Sequence, residues 1–214
     1  MRSSIRSNSI LLGLFALVTA GVVATTQQAT KDRIVESKLR AAQAALYEII
    51  PPERHDNDLF LDTTPIPADF EEFLGLRGKA LDQKQIHIAR KEGEAFAAII
   101  PTVALDGYSG PIEMIMGINA DGTIAGIRVT SHKETPGLGD YIEVRKSNWI
   151  LSFDGKTISS PFNEQQRVTR SSKQEGEFDQ LTGATITRKA VIRQVKKTLS
   201  FFDIVKPLDG NTDE

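Results

Sequence analysis

The chain has 214 residues, which is enough for one folded domain and an additional segment. Its 40% apolar and 25% charged residues match ordinary globular usage, and 26 Lys and Arg against 28 Asp and Glu leave a formal net charge of −2. Without a basic surplus, nucleic acid is not expected as a partner. The absence of cysteine excludes disulfides, thiolate zinc sites, cysteine-ligated iron–sulfur clusters and a Cys nucleophile. Redox chemistry would therefore need a cofactor of another kind.

The N-terminus predicts a membrane anchor. Residues 7–30 contain no charge, and their strongly apolar part covers residues 10–24. A helix of this length crosses a hydrocarbon core of about 30 Å. We predict a short cytoplasmic tail over residues 1–8 and a transmembrane helix over 9–26, with the rest of the chain outside the cytoplasm. The alternative is a cleavable signal peptide, because residues 22–24 are of the small kind that signal peptidases accept.

An amphipathic stalk helix is predicted over residues 27–52. Its apolar residues recur at spacings of three and four, and two prolines stop it. We expect the apolar stripe to pack on the following domain rather than on a partner. The stripe consists of Val35, Leu39, Ala42, Leu46 and Ile49.

The next stretch, residues 53–84, shows little periodicity.

From residue 85 onward, the pattern is that of an α+β domain, which we assign to residues 53–214. Short β-type runs cover residues 86–90, 96–104, 112–118 and 123–130, and Asp121-Gly122 supplies a hairpin turn between the last two. The expected architecture is an antiparallel sheet closed by a C-terminal helix. The apolar face of that helix comprises Ala190, Val191, Val195, Leu199 and Phe202.

The segment 181–189, just before this last helix, predicts a place for an anion. Its small residues leave the backbone approachable, and we predict that Thr185 or Thr187 is the helix N-cap. The free amides of the first turn and the helix dipole favour a group such as phosphate. The alternative is an ordinary turn with a threonine cap.

The same segment resembles a known motif. Asp179-x-x-Thr182-Gly183-Ala184-Thr185 is similar to the flavinylation motif Asp-x-x-(Ser/Thr)-Gly-Ala-Thr of FMN-binding domains. In that family, a separate flavin transferase uses FAD, releases AMP and esterifies the last threonine to the FMN phosphate. The resemblance implies covalent FMN on Thr185, with Thr182, Gly183 and Ala184 beside it and Asp179 in support. An external transferase is required, because no His or Lys lies within the motif to activate the hydroxyl.

Two further segments resemble parts of the FMN-binding domain, residues 106–111 and the Glu-Thr-Pro-Gly-Leu-Gly loop within 132–140. Proline and two glycines force an irregular loop whose amides and threonine hydroxyl could hydrogen-bond a flavin ring. The resemblance implies that this loop contacts the cofactor. The loop residues concerned are Glu134, Thr135, Gly137, Leu138 and Gly139.

Other candidate residues receive simpler interpretations. His132 is expected to be a surface or capping residue rather than a proton relay. Trp149 is expected in the core rather than stacked on the flavin. His55 and His87 fit no metal pattern, so no metal site is predicted.

Over nearly the whole chain, the order of anchor, stalk, FMN-binding domain and C-terminal motif resembles the G subunit of the ion-translocating Rnf (Rsx) electron transport complex. The resemblance implies a single-pass protein of the bacterial inner membrane, with its domain in the periplasm. Its partners would be the other Rnf subunits and the flavin transferase, and it would not turn over alone. The C subunit of the sodium-translocating NADH:quinone reductase is the near alternative. A non-redox membrane-anchored binding module and a hydrolase with a Thr185 nucleophile are alternatives of other classes.

Overall fold

The computed structural model describes residues 2–162 and 182–208, with backbone alone at 2–7, 32, 34–36, 38–39 and 182–184. The chain forms two compact units, Met1–Gln43 and Ala44–Glu214. The predicted domain boundary at residue 53 stays a prediction.

The first unit lies within one long helix, α1, which spans Arg2–Ile49. Its stretch Asn8–Lys31 is long and apolar enough to cross a membrane, and its side chains are exposed. Threonine hydroxyls in this stretch donate to carbonyls of their own helix, for example Thr19 Oγ1 to Phe15 O at 2.7 Å and Thr25 Oγ1 to Gly21 O at 2.8 Å. These bonds satisfy polar groups that a lipid environment would leave without partners.

The second unit is built on a five-stranded antiparallel sheet in which each strand pairs with its neighbour in sequence. The α+β class and the four longer strands are confirmed. The sheet also contains a short edge strand, β1, from the stretch for which the sequence predicted no element. The strands are β1 Thr63–Pro65, β2 Gln85–Lys91, β3 Glu94–Gly107, β4 Gly110–Asn119 and β5 Ile124–Ser131.

One face of the sheet is covered by the C-terminal helix α3, Thr182–Val205, and by loops that include the short helix α2, Ala68–Glu71. Alternate residues of β4 point into this core, which matches their apolar pattern. The predicted apolar face of α3 is buried against them. The buried β4 residues are Ile112, Met114, Met116 and Ile118.

The opposite face of the sheet is covered by the end of α1. Leu46, Ile49 and Ile50 are buried there in a second apolar cluster with residues of β2 and β3. Arg128 of β5 holds this helix end, because its guanidinium donates to Glu48 Oε2 at 2.8 Å and to Glu48 O at 3.1 Å. A cation at a helix C-terminus satisfies carbonyls that lack partners within the helix. The predicted packing of the stripe is therefore confirmed for Leu46 and Ile49 and was wrong for Ala42, which is exposed; the side chains of Val35 and Leu39 lie outside those that the structure describes.

The start of α3 differs from the sequence prediction. The helix begins at Thr182, so Thr185 and Thr187 both lie inside it and neither is the N-cap. The prediction was wrong because Thr-Gly-Ala-Thr is typical of a turn, whereas here it forms the first helical turn.

Candidate functional site

A buried carboxylate joins the three segments that the sequence singled out. Glu134 is 5% exposed, and its Oε1 accepts a hydrogen bond from Ser109 N at 3.0 Å. Its Oε2 accepts one from Thr187 Oγ1 at 2.7 Å. The turn between β3 and β4, the loop after β5 and the beginning of α3 therefore meet at one side chain.

Two glycines make room for this carboxylate. A Cβ at Gly107 would lie 2.9 Å from Glu134 Oε1, and a Cβ at Gly139 would lie 2.4 Å from Glu134 Oε2. Distances this short would displace the carboxylate. The reason for glycine here is space, since Gly139 has an ordinary φ of −89°.

The histidine at the start of the loop has its tautomer set by its neighbours. His132 Nδ1 accepts a hydrogen bond from Glu134 N at 3.0 Å, so the ring proton is on Nε2 and is donated to Glu143 Oε1 at 2.9 Å. The interpretation of His132 as a capping residue agrees with these contacts.

The loop itself is closed by ionic hydrogen bonds. Asp140 accepts from Gly137 N and from Lys146 Nζ, each at 2.8 Å, and Lys146 also donates to Glu143. Burial alone would raise the pKa of Asp140, but the hydrogen bonds from Lys146 and Gly137 outweigh it and the pKa is lowered. The pKa of Glu143 is lowered in the same way, since bonds from Lys146 and His132 outweigh its burial. Both carboxylates favour the ionised form that closes the loop.

These bonds revise which atoms of the loop a ligand can reach. Gly137 N donates to Asp140, and Leu138 N and Gly139 N both donate to Thr135 O at 3.1 Å. These three loop amides, which the sequence analysis considered as partners for a flavin ring, are thus used within the loop. The exposed side chains of the loop are those of Thr135, Pro136 and Leu138.

The threonines of α3 lie on different sides of the helix. Thr187 is fully buried, at 0% exposure, beside Glu134. Thr185 is half-buried, and its hydroxyl makes no hydrogen bond within the described residues. Residues two positions apart on a helix project in directions about 200° apart around the helix axis. Thr185 therefore points away from the contact between Thr187 and Glu134. Asp179 lies outside the described residues, and Thr182, Gly183 and Ala184 contribute the backbone of the first turn.

Each of the three segments also carries an exposed apolar side chain. Tyr108 is 61% exposed, Leu138 is 38% exposed and Ile186 is 38% exposed. Apolar groups left exposed around one junction are suited to a planar, mostly apolar ligand.

A buried polar network, which no sequence pattern indicated, holds the middle of α3 on the sheet. Gln194 Nε2 donates to Thr102 Oγ1 of β3 at 2.6 Å, and Thr198 Oγ1 donates to the same oxygen at 3.1 Å. An exposed ion pair between Arg193 and Asp106 lies on the same side of the sheet. The buried network attaches the middle of α3 to the sheet, whereas the exposed pair contributes little.

The aromatic residue considered as a flavin partner lies in the core. Trp149 is buried and packs edge-on against Phe153, with ring centroids 5.1 Å apart. The core interpretation of Trp149 is confirmed.

The chain contains an FMN-binding domain: the family model of that description matches residues 107–200, which include the three segments that meet at Glu134. A second model, described as RnfG N-terminal region, matches residues 1–49.

Named relatives then give the particular family. The chain is 45% identical over 202 residues to the G subunit of the ion-translocating oxidoreductase complex of Pseudomonas aeruginosa strain UCBPP-PA14, covering 94% of this chain and 90% of the relative. It is 43% identical over 201 residues to the protein of the same name in Vibrio vulnificus strain YJ016, covering 94% and 90%. For Photorhabdus laumondii, the identity is 40% over 205 residues, covering 96% and 93%. The chain belongs to the family of G subunits of ion-translocating oxidoreductase complexes, as the sequence resemblance implied.

Proposed function

We propose that this chain is an electron-transfer subunit of an ion-translocating oxidoreductase complex and carries FMN covalently on Thr185 through a phosphoester. The observation that carries the proposal is that Thr185 is a partly exposed residue of the helix whose Thr187 contacts the junction of the three FMN-domain segments. The other two threonines with described side chains in that region differ, because Thr187 is buried and Thr135 belongs to the loop.

The attachment reaction needs an external flavin transferase. The Thr185 oxygen forms a bond to the FMN phosphorus of FAD as the diphosphate P–O bond breaks, AMP leaves, and the hydroxyl proton passes to a base of the transferase. The first turn of α3 assists, because its backbone amides have no partners within the helix and favour an anionic phosphate. Thr182, Gly183 and Ala184 would supply this turn, with Asp179 orienting the acceptor or a metal ion of the transferase.

The remaining site residues would position the ring. Leu138, Tyr108 and Ile186 would provide apolar cover, and Thr135 a hydroxyl for a polar edge of the flavin. Gly137, Gly139 and Glu134 would keep the loop in the shape that presents these groups. Bound FMN supplies one- and two-electron chemistry, while the protein supplies position and surroundings.

The membrane and partner assignments belong to the same proposal. The apolar stretch Asn8–Lys31 would anchor the chain in the bacterial inner membrane, with the FMN-binding domain on the periplasmic side. The partners would be the other subunits of the complex and the transferase. The chain would pass electrons within that assembly and not turn over alone.

Co-expression with a flavin transferase and export to the periplasm tests the proposal. The denatured protein should give a fluorescent band in a gel and a mass increased by one FMN. Thr185→Val should abolish both signals, and the matched change Thr198→Val, at a threonine of the same helix outside the motif, should keep them. Unmodified, colourless wild-type protein under these conditions would instead favour the non-redox binding module. Loss of label in Thr187→Val but not in Thr185→Val would move the attachment site.

A further inference from the structure

We propose that Glu134 is a positioning residue that selects Thr185, rather than Thr187, as the flavin acceptor. The inference rests on the proposed function and adds to it the physical basis of acceptor choice. Both threonines lie within two residues of each other in the same helix, so a transferase needs some difference between them.

The difference is the hydrogen bond to Glu134. Thr187 Oγ1 donates to Glu134 Oε2 at 2.7 Å, and both residues are buried. Both carboxylate oxygens act as acceptors, as in an ionised carboxylate, and hydrogen bonds to such groups are roughly twice as strong as neutral ones. The Thr187 hydroxyl is therefore held by the protein and is not accessible to an enzyme.

The same bond fixes the rotation of the start of α3. Helix ends fray, and among the described side chains of α3 Thr187 is the first that is fully buried. Once Thr187 faces Glu134, Thr185 must face about 200° away. A first turn rotated about the helix axis would bring Thr185 toward Glu134. The space around Glu134 is already filled, since even a Cβ added at Gly107 or Gly139 would collide with its carboxylate.

The test compares Thr187→Val, which removes the hydroxyl and keeps the shape, with Thr187→Ser, which keeps the hydroxyl. Thr198→Val is the matched control. Thr198 is equally buried in α3 and donates to Thr102, but lies about 16 Å further along the helix. The measurements are the initial rate of FMN incorporation by the transferase from FAD, the labelled residue by peptide fragmentation, and amide hydrogen exchange of the unlabelled protein over residues 183–188.

In Thr187→Val, incorporation at Thr185 should slow about tenfold, which corresponds to the loss of one hydrogen bond to a charged group. Exchange over residues 183–188 should rise. Thr187→Ser and Thr198→Val should stay within about twofold of wild type in labelling. The proposal would be overturned if Thr187→Val were labelled at the wild-type rate with unchanged exchange over residues 183–188. It would also be overturned if Thr198→Val slowed labelling as much as Thr187→Val does, because general destabilisation of the helix would then explain both.

Glu134→Gln gives a second test if Thr187→Val does not fold. The amide keeps the size of the side chain but replaces one charged acceptor by an NH2 donor, so either Ser109 N loses its acceptor or Thr187 can only accept a weaker, neutral hydrogen bond in place of the one it donates. FMN should then attach more slowly and no longer at Thr185 alone; wild-type rate and site would contradict the role of Glu134. If the wild-type protein is not labelled at all, the proposed function fails. If it is labelled at Thr185 and the variants behave like it, only the selection role fails.

Discussion

At the scale of single residues, Gly139 shows how closely the loop surrounds its carboxylate. In Gly139→Ala, the new Cβ would lie 2.4 Å from Glu134 Oε2, so the carboxylate must move away from Thr187. We expect a loss of about 1–3 kcal/mol in the free energy of unfolding, as in overpacked cores. Urea unfolding of the unlabelled protein measures it.

Gly137→Asn is the control for this prediction. Gly137 has a φ of +79° with open space where a side chain would begin, and Asn tolerates that backbone conformation. Its effect on unfolding should be small. Equal losses in the two variants would show that the loop, and not the carboxylate, responds to the added atoms.

The buried His87 should make the free energy of unfolding depend on pH. Burial lowers its pKa from 6.5, and this outweighs the opposing hydrogen bond from Nδ1 to Leu59 O. The folded state therefore prefers the neutral ring, and the unfolded chain binds more protons once the pH falls below about 6.5. Unfolding free energy should decrease as the pH drops from about 7.5 to about 5.5, and in His87→Gln this decrease should be smaller. An unchanged pH profile in His87→Gln would rule out this group as the cause.

The sequence could predict individual site residues only where a motif marked them. A motif marked Thr185 and the loop at 134–139 in this way, and their role in binding FMN stays a prediction. The partners of Glu134 were not, because Ser109 and Thr187 lie 25 and 53 residues away from it and no local pattern records such contacts. The Thr102–Gln194 pair, 92 residues apart, was missed for the same reason.

At the scale of elements, the end of α1 meets the sheet at a pair of glycines. Gly117 of β4 and Gly126 of β5 lie opposite each other, and Ile49 packs over both. A Cβ at Gly117 would lie 2.3 Å from Ile49 Cγ2, whereas one at Gly126 would lie 3.5 Å from it, an ordinary contact. Gly117→Ala should therefore destabilise the protein by about 1–3 kcal/mol, and Gly126→Ala by less than about 1 kcal/mol. Thermal unfolding distinguishes them.

A rescue experiment checks the steric cause. Adding Ile49→Ala removes the atom that the new Cβ would strike, so the double variant should lose less than the sum of the single changes. Additive losses would contradict the contact.

Elements with strong periodicity were predictable, and short ones were not. The alternation of β4 and the apolar face of α3 each extend over enough residues to define a period. By contrast, β1 has three residues and α2 has four, and their stability comes from packing on the sheet rather than from local preference. The predicted N-cap failed at a helix end, where the local sequence defines the boundary of an element least well.

At the scale of the whole molecule, the second compact unit includes the end of α1. Leu46, Ile49 and Ile50 are buried on the sheet, and burying each such side chain contributes about 1.5–3 kcal/mol. A protein comprising residues 44–214 should keep the fold. One comprising residues 53–214 should lose on the order of 5 kcal/mol, which is comparable with the whole stability of many domains.

Circular dichroism during heating tests this difference, and both proteins lack the apolar stretch Asn8–Lys31, so solubility does not confound the comparison. If the shorter protein melts at the same temperature as the longer one, the helix end is not part of the folding unit.

The order of the strands also bears on when, during synthesis, the proposed flavin acceptor Thr185 reaches its final position. Since β1 to β5 pair in the order of synthesis, the sheet can assemble by successive hairpins while the chain is still being made. The sheet face on which α3 packs is not covered by this helix until residues 187–202 have been synthesised. Only then can Thr187 form its hydrogen bond to Glu134. Selection of Thr185 would thus be a late event in biogenesis, and a nascent chain lacking its last helix would present no oriented threonine to a transferase.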